Sequence, residues 1–410
     1  MQNEAIPDDA TNLTQEECYK ALFGTTSKHT SINYVNDIST VFCLLPSPAF
    51  LNRLDIFLKG LQVAIPVKYQ TFGAVASTVS SLSRARLFQY SKNSNTVPQS
   101  REDDLYTHGR GCVGVMFRGD IQVDILIARG AKPVGGIYRI GDGEESKIRS
   151  LILDRVHIDH ADAESINLKN YAARAGIPKP PLAEANYLLK NILTDDEAYF
   201  MRRTLLIGVE QNNITNTRDE LERLTFGEDY SYEVYQVASA GLKDGSVTLP
   251  LGCVDLKVGQ RVRFFVREGD YSKRELHALW TGYNESSSNN QITSGCFMFP
   301  SLDRGTKIFG GRPGYESGFV STRFLPNISS MSGFFANGVI GPTKASSIHQ
   351  KLHSSKTEGE EPQITTKLHS SATCFAILKS SEYDMDIKHT SNQAAVPKTY
   401  IIFLVLCVCV

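Results

Sequence analysis

GCFMFPSLDRGTKIFGGRPGYESGFVSTRFLPNISSMSGFFANGVIGP, residues 295–342, has the clearest structural pattern in this 410-residue chain. Two apolar runs, 296–300 and 333–342, alternate in it with turns rich in glycine. The first run has the length of a buried strand and ends at a proline, which cannot donate a hydrogen bond to a neighbouring strand. Glycines within the second run are typical of a bulge or of a close approach by another backbone. We therefore predict two strands joined by glycine turns.

Two arginines lie beside glycines in these turns. Arg304 precedes Gly305, and Arg312 follows a Gly-Gly pair. Glycine permits positive φ and a close approach of the backbone to a ligand, while a guanidinium suits a carboxylate or a phosphate. The turns therefore predict an anion site. The alternative is a structural role, in which Arg304 pairs with Asp303 or caps a helix.

The first part of the chain predicts strands with one crossover helix. Apolar positions indicate a strand at 38–45, a helix through 51–61 and a strand at 67–77. This order favours a parallel, right-handed unit. Two further apolar runs, 113–117 and 121–128, are joined by Arg-Gly-Asp and predict a hairpin.

The second part of the chain adds helices and a charged strand. Thr194 followed by three acids predicts a capped helix start. Arginines alternate with apolar residues at 261–267, which predicts a half-exposed strand. The segment 271–283 suits a helix and holds the only tryptophan, Trp280. The segment 372–378 is apolar.

The 295–342 motif resembles the C-terminal half of the FIST family, a sensory domain of bacterial signalling proteins that also follows an F-box in a eukaryotic ubiquitin-ligase subunit. The matching residues are Phe297, Met298 and Phe299, then Asp303, Arg304 and Gly305, then Pro326, Gly333, Phe334, Phe335, Gly338, Ile340 and Gly341. The segment 130–135 is similar to a junction in the N-terminal half of the family. In all, the resemblance covers about 38–379.

The resemblance implies a mixed α/β fold with two sheet-containing halves, FIST N and FIST C, built with crossover helices and antiparallel strands. The expected divisions are a weakly ordered lead-in at 1–35, a FIST N-like domain at 36–180, a FIST C-like domain at 181–380 and a tail at 381–410.

The resemblance also implies an intracellular sensory module for signal transduction. A small ligand, such as an amino acid or another carboxylate, would bind in a cleft between the two halves. The expected ligand contacts are Arg304, Gly305, Arg312 and Asn337, with Phe334 and Phe335 as an apolar wall. Core positions are the alternative for the two phenylalanines, because phenylalanine is more often buried.

A second hypothesis is a protein-interaction role, as the substrate-recognition body of an F-box-type ubiquitin-ligase subunit. The segment before residue 38 is too short and polar to supply the F-box itself.

Composition narrows the possible partners and sites. A formal net charge of −1 gives no global attraction to nucleic acid, so we expect no nucleic-acid partner. The eight cysteines are scattered, mostly within apolar runs, and predict reduced core residues. Cys407 and Cys409 lack further ligands, and the group His157, Asp159 and His160 is typical of a solvated linker, so we expect no metal.

No catalytic motif stands out in the sequence. It has no G-x-S-x-G elbow, no H-E-x-x-H, no Walker loop and no G-x-G-x-x-G that opens a helix. We therefore expect no enzymatic activity and no cofactor.

The two termini bear on location. The acidic N-terminus lacks the apolar core of a signal peptide and favours a cytoplasmic protein. The apolar run 400–410 is too short for a membrane span, which needs about 20 residues. We expect it to dock on the fold, or else to be a false extension of the coding sequence.

The pentapeptide Lys-Leu-His-Ser-Ser occurs twice, and we expect its histidines, His353 and His369, at the surface.

Overall fold

The computed structural model describes residues 14–18, 40–65, 69–76, 84–90, 105–118, 121–155, 166–210, 232–250, 256–286, 291–342, 366–381 and 400–402. In chain order its elements are β1 (Thr40–Pro46), α1 (Leu51–Ala64), β2 (Tyr69–Ala74), β3 (Leu87–Tyr90), β4 (Leu105–His108), β5 (Cys112–Arg118), β6 (Gln122–Ala128), β7 (Ala131–Glu144), β8 (Lys147–Arg155), α2 (Ile166–Ala172), β9 (Pro178–Lys179), α3 (Pro181–Asn191), α4 (Asp195–Arg203), β10 (Leu206–Glu210), β11 (Tyr232–Gln236), β12 (Ser239–Ala240), β13 (Val247–Thr248), β14 (Arg261–Arg267), α5 (Gly269–Ser286), β15 (Gln291–Pro300), α6 (Tyr315–Arg323), β16 (Met331–Ser332), β17 (Val339–Pro342), β18 (Thr366–His369), β19 (Thr373–Ser381) and β20 (Tyr400–Ile402). Single 3-10 turns cover Pro48–Phe50 and Leu302–Arg304.

The strands form three larger sheets and one ribbon. The first sheet has the order β18-β17-β2-β1-β5-β20, and the second has the order β11-β10-β14-β7-β8-β13-β12, with β9 on β8. The third has the order β16-β15-β19-β6, and β3 pairs with β4. Parallel and antiparallel pairs occur together in the first sheet. The predicted mixed α/β class is therefore confirmed.

Each larger sheet combines strands from both sides of residue 180. β17 lies beside β2 in the first sheet, β14 beside β7 in the second, and β19 beside β6 in the third. The predicted division between residues 180 and 181 falls between β9 and α3. Both halves contain strands and helices, and they build shared sheets rather than separate ones.

The unit β1-α1-β2 confirms the first predicted pattern. β1 pairs with β2 in parallel, with Thr40 opposite Tyr69. The connecting helix buries Leu54, Phe57 and Leu61 against the first sheet. Helical spacing in the sequence thus identified the buried face correctly.

The predicted hairpin at 113–128 is wrong. β5 pairs with β1, whereas β6 pairs with β19, so two consecutive strands enter different sheets. Six of the seven residues of β6 are buried. Such burial requires apolar neighbours on both faces of the strand, and an isolated two-stranded hairpin does not provide them.

β14 is also more buried than its sequence predicts. Six of its seven residues are buried because it lies between β10 and β7 and packs against α4. Arg267 compensates for this burial through polar partners: its Nε donates to Ser371 Oγ at 2.8 Å, and its guanidinium pairs with Asp303. Burial lowers the pKa of Arg267, and the nearby carboxylate opposes that change.

Pieces of the predicted lead-in and tail pack onto the fold. Residues 15–18 are helical, and Cys18 is buried in the apolar cluster around α1. β20 lies within the predicted tail and extends the first sheet beside β5. Among the described residues, all five cysteines are buried, which confirms core positions for them: Cys18, Cys43, Cys112, Cys296 and Cys374.

The structure corrects the predicted position of His369. Its side chain is buried, and its Nε2 donates to the carbonyl of Pro342 at 3.1 Å. Burial, with a contribution from the charge of Arg129, lowers the pKa of His369 to about 4. Other predicted residues lie outside the described ranges. They are the histidine of the first pentapeptide, the His-Asp-His group and three cysteines: His353, His157, Asp159, His160, Cys253, Cys407 and Cys409.

Within the described part of the chain, no helix combines the length and apolar character needed to cross a membrane.

Candidate functional site

An open groove of about 610 Å³ runs between helices α5 and α6. Its walls are Lys273, Arg274 and His277 from α5, the loop residues Arg312, Pro313 and Gly314, and Tyr315, Gly318, Phe319, Thr322 and Arg323 from α6. All of these residues belong to the second predicted half. The groove therefore differs from the expected cleft between the two halves.

Helix α5 presents one apolar and one cationic face. The Glu268 carboxylate accepts hydrogen bonds from the backbone N–H groups of Asp270 and Tyr271, and so satisfies two donors of the first turn. Leu276, Leu279 and Trp280 are fully buried against the third sheet. The opposite face carries the basic residues of the groove. Amphipathic spacing therefore positions them at the surface.

Helix α6 begins at a glycine that takes a left-handed conformation. Gly314, with φ 61° and ψ 26°, turns the chain into the helix. One turn later Gly318 also faces solvent, and a β-carbon added there would meet no atom within 4 Å. Two positions of the groove lining, one just before α6 and one within it, therefore carry no side chain.

The lining is strongly cationic. Lys273, Arg274, Arg312 and Arg323 all contribute to it, and none of the lining residues is acidic. Next to this lining lies Asp270, whose carboxylate is 2.8 Å from Lys273 Nζ. A hydrogen bond to Lys273 and the charge of Lys273, with a further contribution from the charge of Arg274, lower the pKa of Asp270. Among the described residues, Asp270 therefore interacts with two of the four cations.

A row of stacked aromatic rings includes two that line the groove, Tyr315 and Phe319. The Tyr315 ring centre lies 4.7 Å from that of Phe309 and 6.0 Å from that of Phe319, with interplanar angles of 15° and 12°. Lys273 Nζ lies 5.9 Å from the centre of the Tyr315 ring, and Arg323 Cζ lies 5.3 Å from that of Phe319. Two of the four cations are therefore held near aromatic rings, an arrangement that limits their motion without neutralising them.

Arg304 lies in the protein interior, although the sequence predicts it as a ligand contact. Its side chain is 1% exposed, and its Nε and Nη2 donate to Glu316 Oε1 at 3.0 Å and 2.5 Å. Thr373 Oγ1 donates to the other carboxylate oxygen at 2.9 Å. Arg304 is therefore a structural residue that anchors the first turn of α6. Asp303, the expected alternative partner, pairs with Arg267 instead.

Gly305 and Asn337 are occupied by local structure. Gly305 has φ −79° and ψ −168°, an extended conformation, so the expected positive φ is found only at later glycines of the loop. The backbone N–H of Asn337 donates to Val75 O at 3.3 Å, which ties the turn before β17 to the end of β2. Neither residue lines the groove.

Phe334 and Phe335 are exposed, so the core alternative for them is wrong. Their exposed fractions are 38% and 46%, and Leu302 nearby in the fold reaches 50%. Leu302 joins this segment because its N–H donates to the carbonyl of Ala336 at 3.0 Å. Phe334 rests with its ring centre 5.2 Å from that of buried Phe299. These three exposed apolar side chains, carried by adjoining backbone segments, are here called the phenylalanine patch, and they lie outside the groove lining.

Of the four groove cations, only Arg312 is predicted from the sequence as a ligand contact. The prediction omits Lys273, Arg274 and His277, although their spacing opposite the apolar face of the predicted helix 271–283 is a usable signal. Arg323 is the basic residue in the last turn of α6. Its place in the groove depends on the packing of that helix against α5.

Comparison of the chain with protein-family models finds no match, and comparison with curated proteins finds none either. The resemblance to the FIST family therefore stays a prediction from the motif.

Proposed function

We propose that this protein binds a small anionic ligand, such as an amino acid or another carboxylate, in the groove between α5 and α6. The observation that carries the proposal is the lining of four cations with no acidic side chain among them. Arginine and lysine bind carboxylates through charge-assisted hydrogen bonds. The groove volume also falls within the range of about 300–1,000 Å³ typical of ligand sites.

The wider role follows from the FIST resemblance. In this proposal the protein is a cytoplasmic sensory module, and occupancy of the groove is the signal. Helix α6 is suited to such a role because its first turn is tied to the interior through Glu316. A ligand bound at the groove would therefore contact a helix that is coupled to the third sheet.

Thermal unfolding against a panel of amino acids and carboxylates tests the proposal. A ligand present at 100 times its dissociation constant stabilises the folded state by about 2.7 kcal/mol, which is readily measured. We expect Arg312→Gln to weaken that stabilisation. Arg202→Gln, an exposed arginine on α4 outside the groove, is the matched control and should leave it unchanged. No stabilisation by any anion would contradict the proposal.

A second candidate function is protein interaction through the phenylalanine patch. Exposed large apolar side chains that lie together are typical of interaction sites. In the F-box-type alternative, the patch belongs to the substrate-recognition body of a ubiquitin-ligase subunit. A pull-down on the full chain, probed for substrate proteins and for the ligase linker subunit, tests this role. Leu302→Ser should reduce recovery of the substrate proteins, whereas Leu242→Ser, a leucine 94% exposed elsewhere, should not.

A further inference from the structure

We propose that the ligand of the groove carries at least two negative charges on a planar apolar body, and that a simple monocarboxylate is not its preferred occupant. This inference rests on the proposed function, since it names the class of anion that the same groove takes. It follows from three features of the lining: the number of cations, the directions from which they approach, and the aromatic rings and glycines along one side.

The first feature is the charge balance. Lys273, Arg274, Arg312 and Arg323 face the groove, and Asp270 is the carboxylate that pairs with this set among the described residues. These five side chains together carry a net charge of three positive. One carboxylate would leave two like charges close together at the groove. A ligand with two or three negative charges would balance them.

The second feature is the geometry of the cations. Lys273 and Arg274 approach from α5, Arg312 from the loop before α6, and Arg323 from the last turn of α6. A nine-residue helix is about 13 Å long, so the loop and the last turn lie at opposite ends of the groove. A single carboxylate accepts a bidentate pair from one arginine and cannot reach all three sources. Several anionic groups around one body can.

The third feature is the aromatic side of the lining. Tyr315 and Phe319 are half-buried with nearly parallel rings, and Gly314 and Gly318 leave two neighbouring positions without side chains. A planar ring can pack against the edges of these two rings beside the glycines. Stacking between aromatic groups adds affinity beyond the burial of area. The anionic groups would project from the edge of the ring towards the cations.

The chain contains its own reporter for this site. Trp280 is its single tryptophan, and its ring is stacked on that of Phe324, with 5.9 Å between the ring centres. The Phe324 ring centre in turn lies 5.5 Å from that of Phe319 and 5.9 Å from that of His277, and both of these residues line the groove. Occupation of the groove should therefore change tryptophan fluorescence through one intervening ring.

The test compares four carboxylates that separate charge from planarity. Acetate and benzoate carry one charge, while propane-1,2,3-tricarboxylate and benzene-1,3,5-tricarboxylate carry three. The full chain is titrated with each by calorimetry and by tryptophan fluorescence. We expect the aromatic tricarboxylate to bind at least tenfold more tightly than benzoate and at least threefold more tightly than its aliphatic counterpart. Phenyl phosphate, compared with benzoate, shows whether phosphate oxygens substitute for additional carboxylates.

Two glycine variants establish where binding occurs. Gly318→Leu places a side chain in the open groove and should reduce binding of the aromatic tricarboxylate at least tenfold. Gly282→Leu is the control, because Gly282 is also helical with no atom within 4 Å of an added β-carbon and lies outside the groove. Circular dichroism and thermal unfolding of both variants confirm that they fold.

The outcomes separate this inference from the proposed function. Equal affinity for all four carboxylates, with loss in Gly318→Leu, would overturn the inference and leave the proposed function standing. Binding of the tricarboxylates that is unaffected by Gly318→Leu would overturn both for this groove. Tight, ring-dependent binding that Gly318→Leu abolishes and Gly282→Leu preserves supports the inference.

Discussion

Removal of the Arg304 guanidinium should destabilise the protein strongly. In Arg304→Met, the Glu316 carboxylate stays in a site where its side chain is 2% exposed, and it keeps only the hydrogen bond from Thr373. Breaking one partner of a buried ion pair costs about 3–5 kcal/mol. The hydrogen bond from Thr373 offsets about 1 kcal/mol of that cost. We therefore expect the free energy of unfolding to fall by about 3 kcal/mol.

The double variant Arg304→Met with Glu316→Gln distinguishes a lost charge pair from lost packing. Glutamine still accepts from Thr373 but carries no charge, so most of the stability should return, to within about 1 kcal/mol of the wild type. Denaturation in urea at pH 7 measures all three proteins and the Glu316→Gln single variant. A cost below about 1 kcal/mol for Arg304→Met, or a double variant no more stable than it, would refute the assigned role of the pair.

The remaining predictions concern a glycine, a helix cap and a histidine. Gly130→Ala should lower the free energy of unfolding, measured in urea, by at least about 2 kcal/mol. The reason is that φ is +62° there and the added β-carbon would lie 1.8 Å from Arg304 Nη1. Gly310→Ala is the control: its φ is +65°, but it lies in open space, so it should lower that free energy by only about 1 kcal/mol. Thr194→Ala should cost about 1 kcal/mol by removing the capping box with Glu197, as measured by thermal unfolding, and Thr194→Ser should retain most of that stability. Burial lowers the pKa of His369 from 6.5 to about 4 in the folded state. Between pH 6.5 and pH 4 this imidazole is therefore protonated in the unfolded chain and neutral in the folded one. The free energy of unfolding should fall as the pH drops through that range. The full effect is about 3 kcal/mol, and a His369→Gln variant with an unchanged pH profile would contradict this assignment.

Local patterns in the sequence determined many of the elements. Apolar spacing placed β1, α1 and β2, and their parallel order follows from the short connection through a helix. The threonine and acids at 194–197 determined the start of α4, where the capping box is present. The apolar spacing and the capped helix start depend on residues within about one or two turns of each other, so the sequence contains their whole cause.

The tertiary structure decided which charges meet. Arg304 could pair with its neighbour Asp303 as far as the sequence shows, but the turn after β15 directs it towards Glu316 on α6. The groove likewise depends on packing, because its cations come from α5, a loop and the end of α6. Strand partners behave in the same way, as β5 and β6 show by entering different sheets. Long-range pairing decides these contacts because many partners are locally equivalent, and only burial in one common core selects among them.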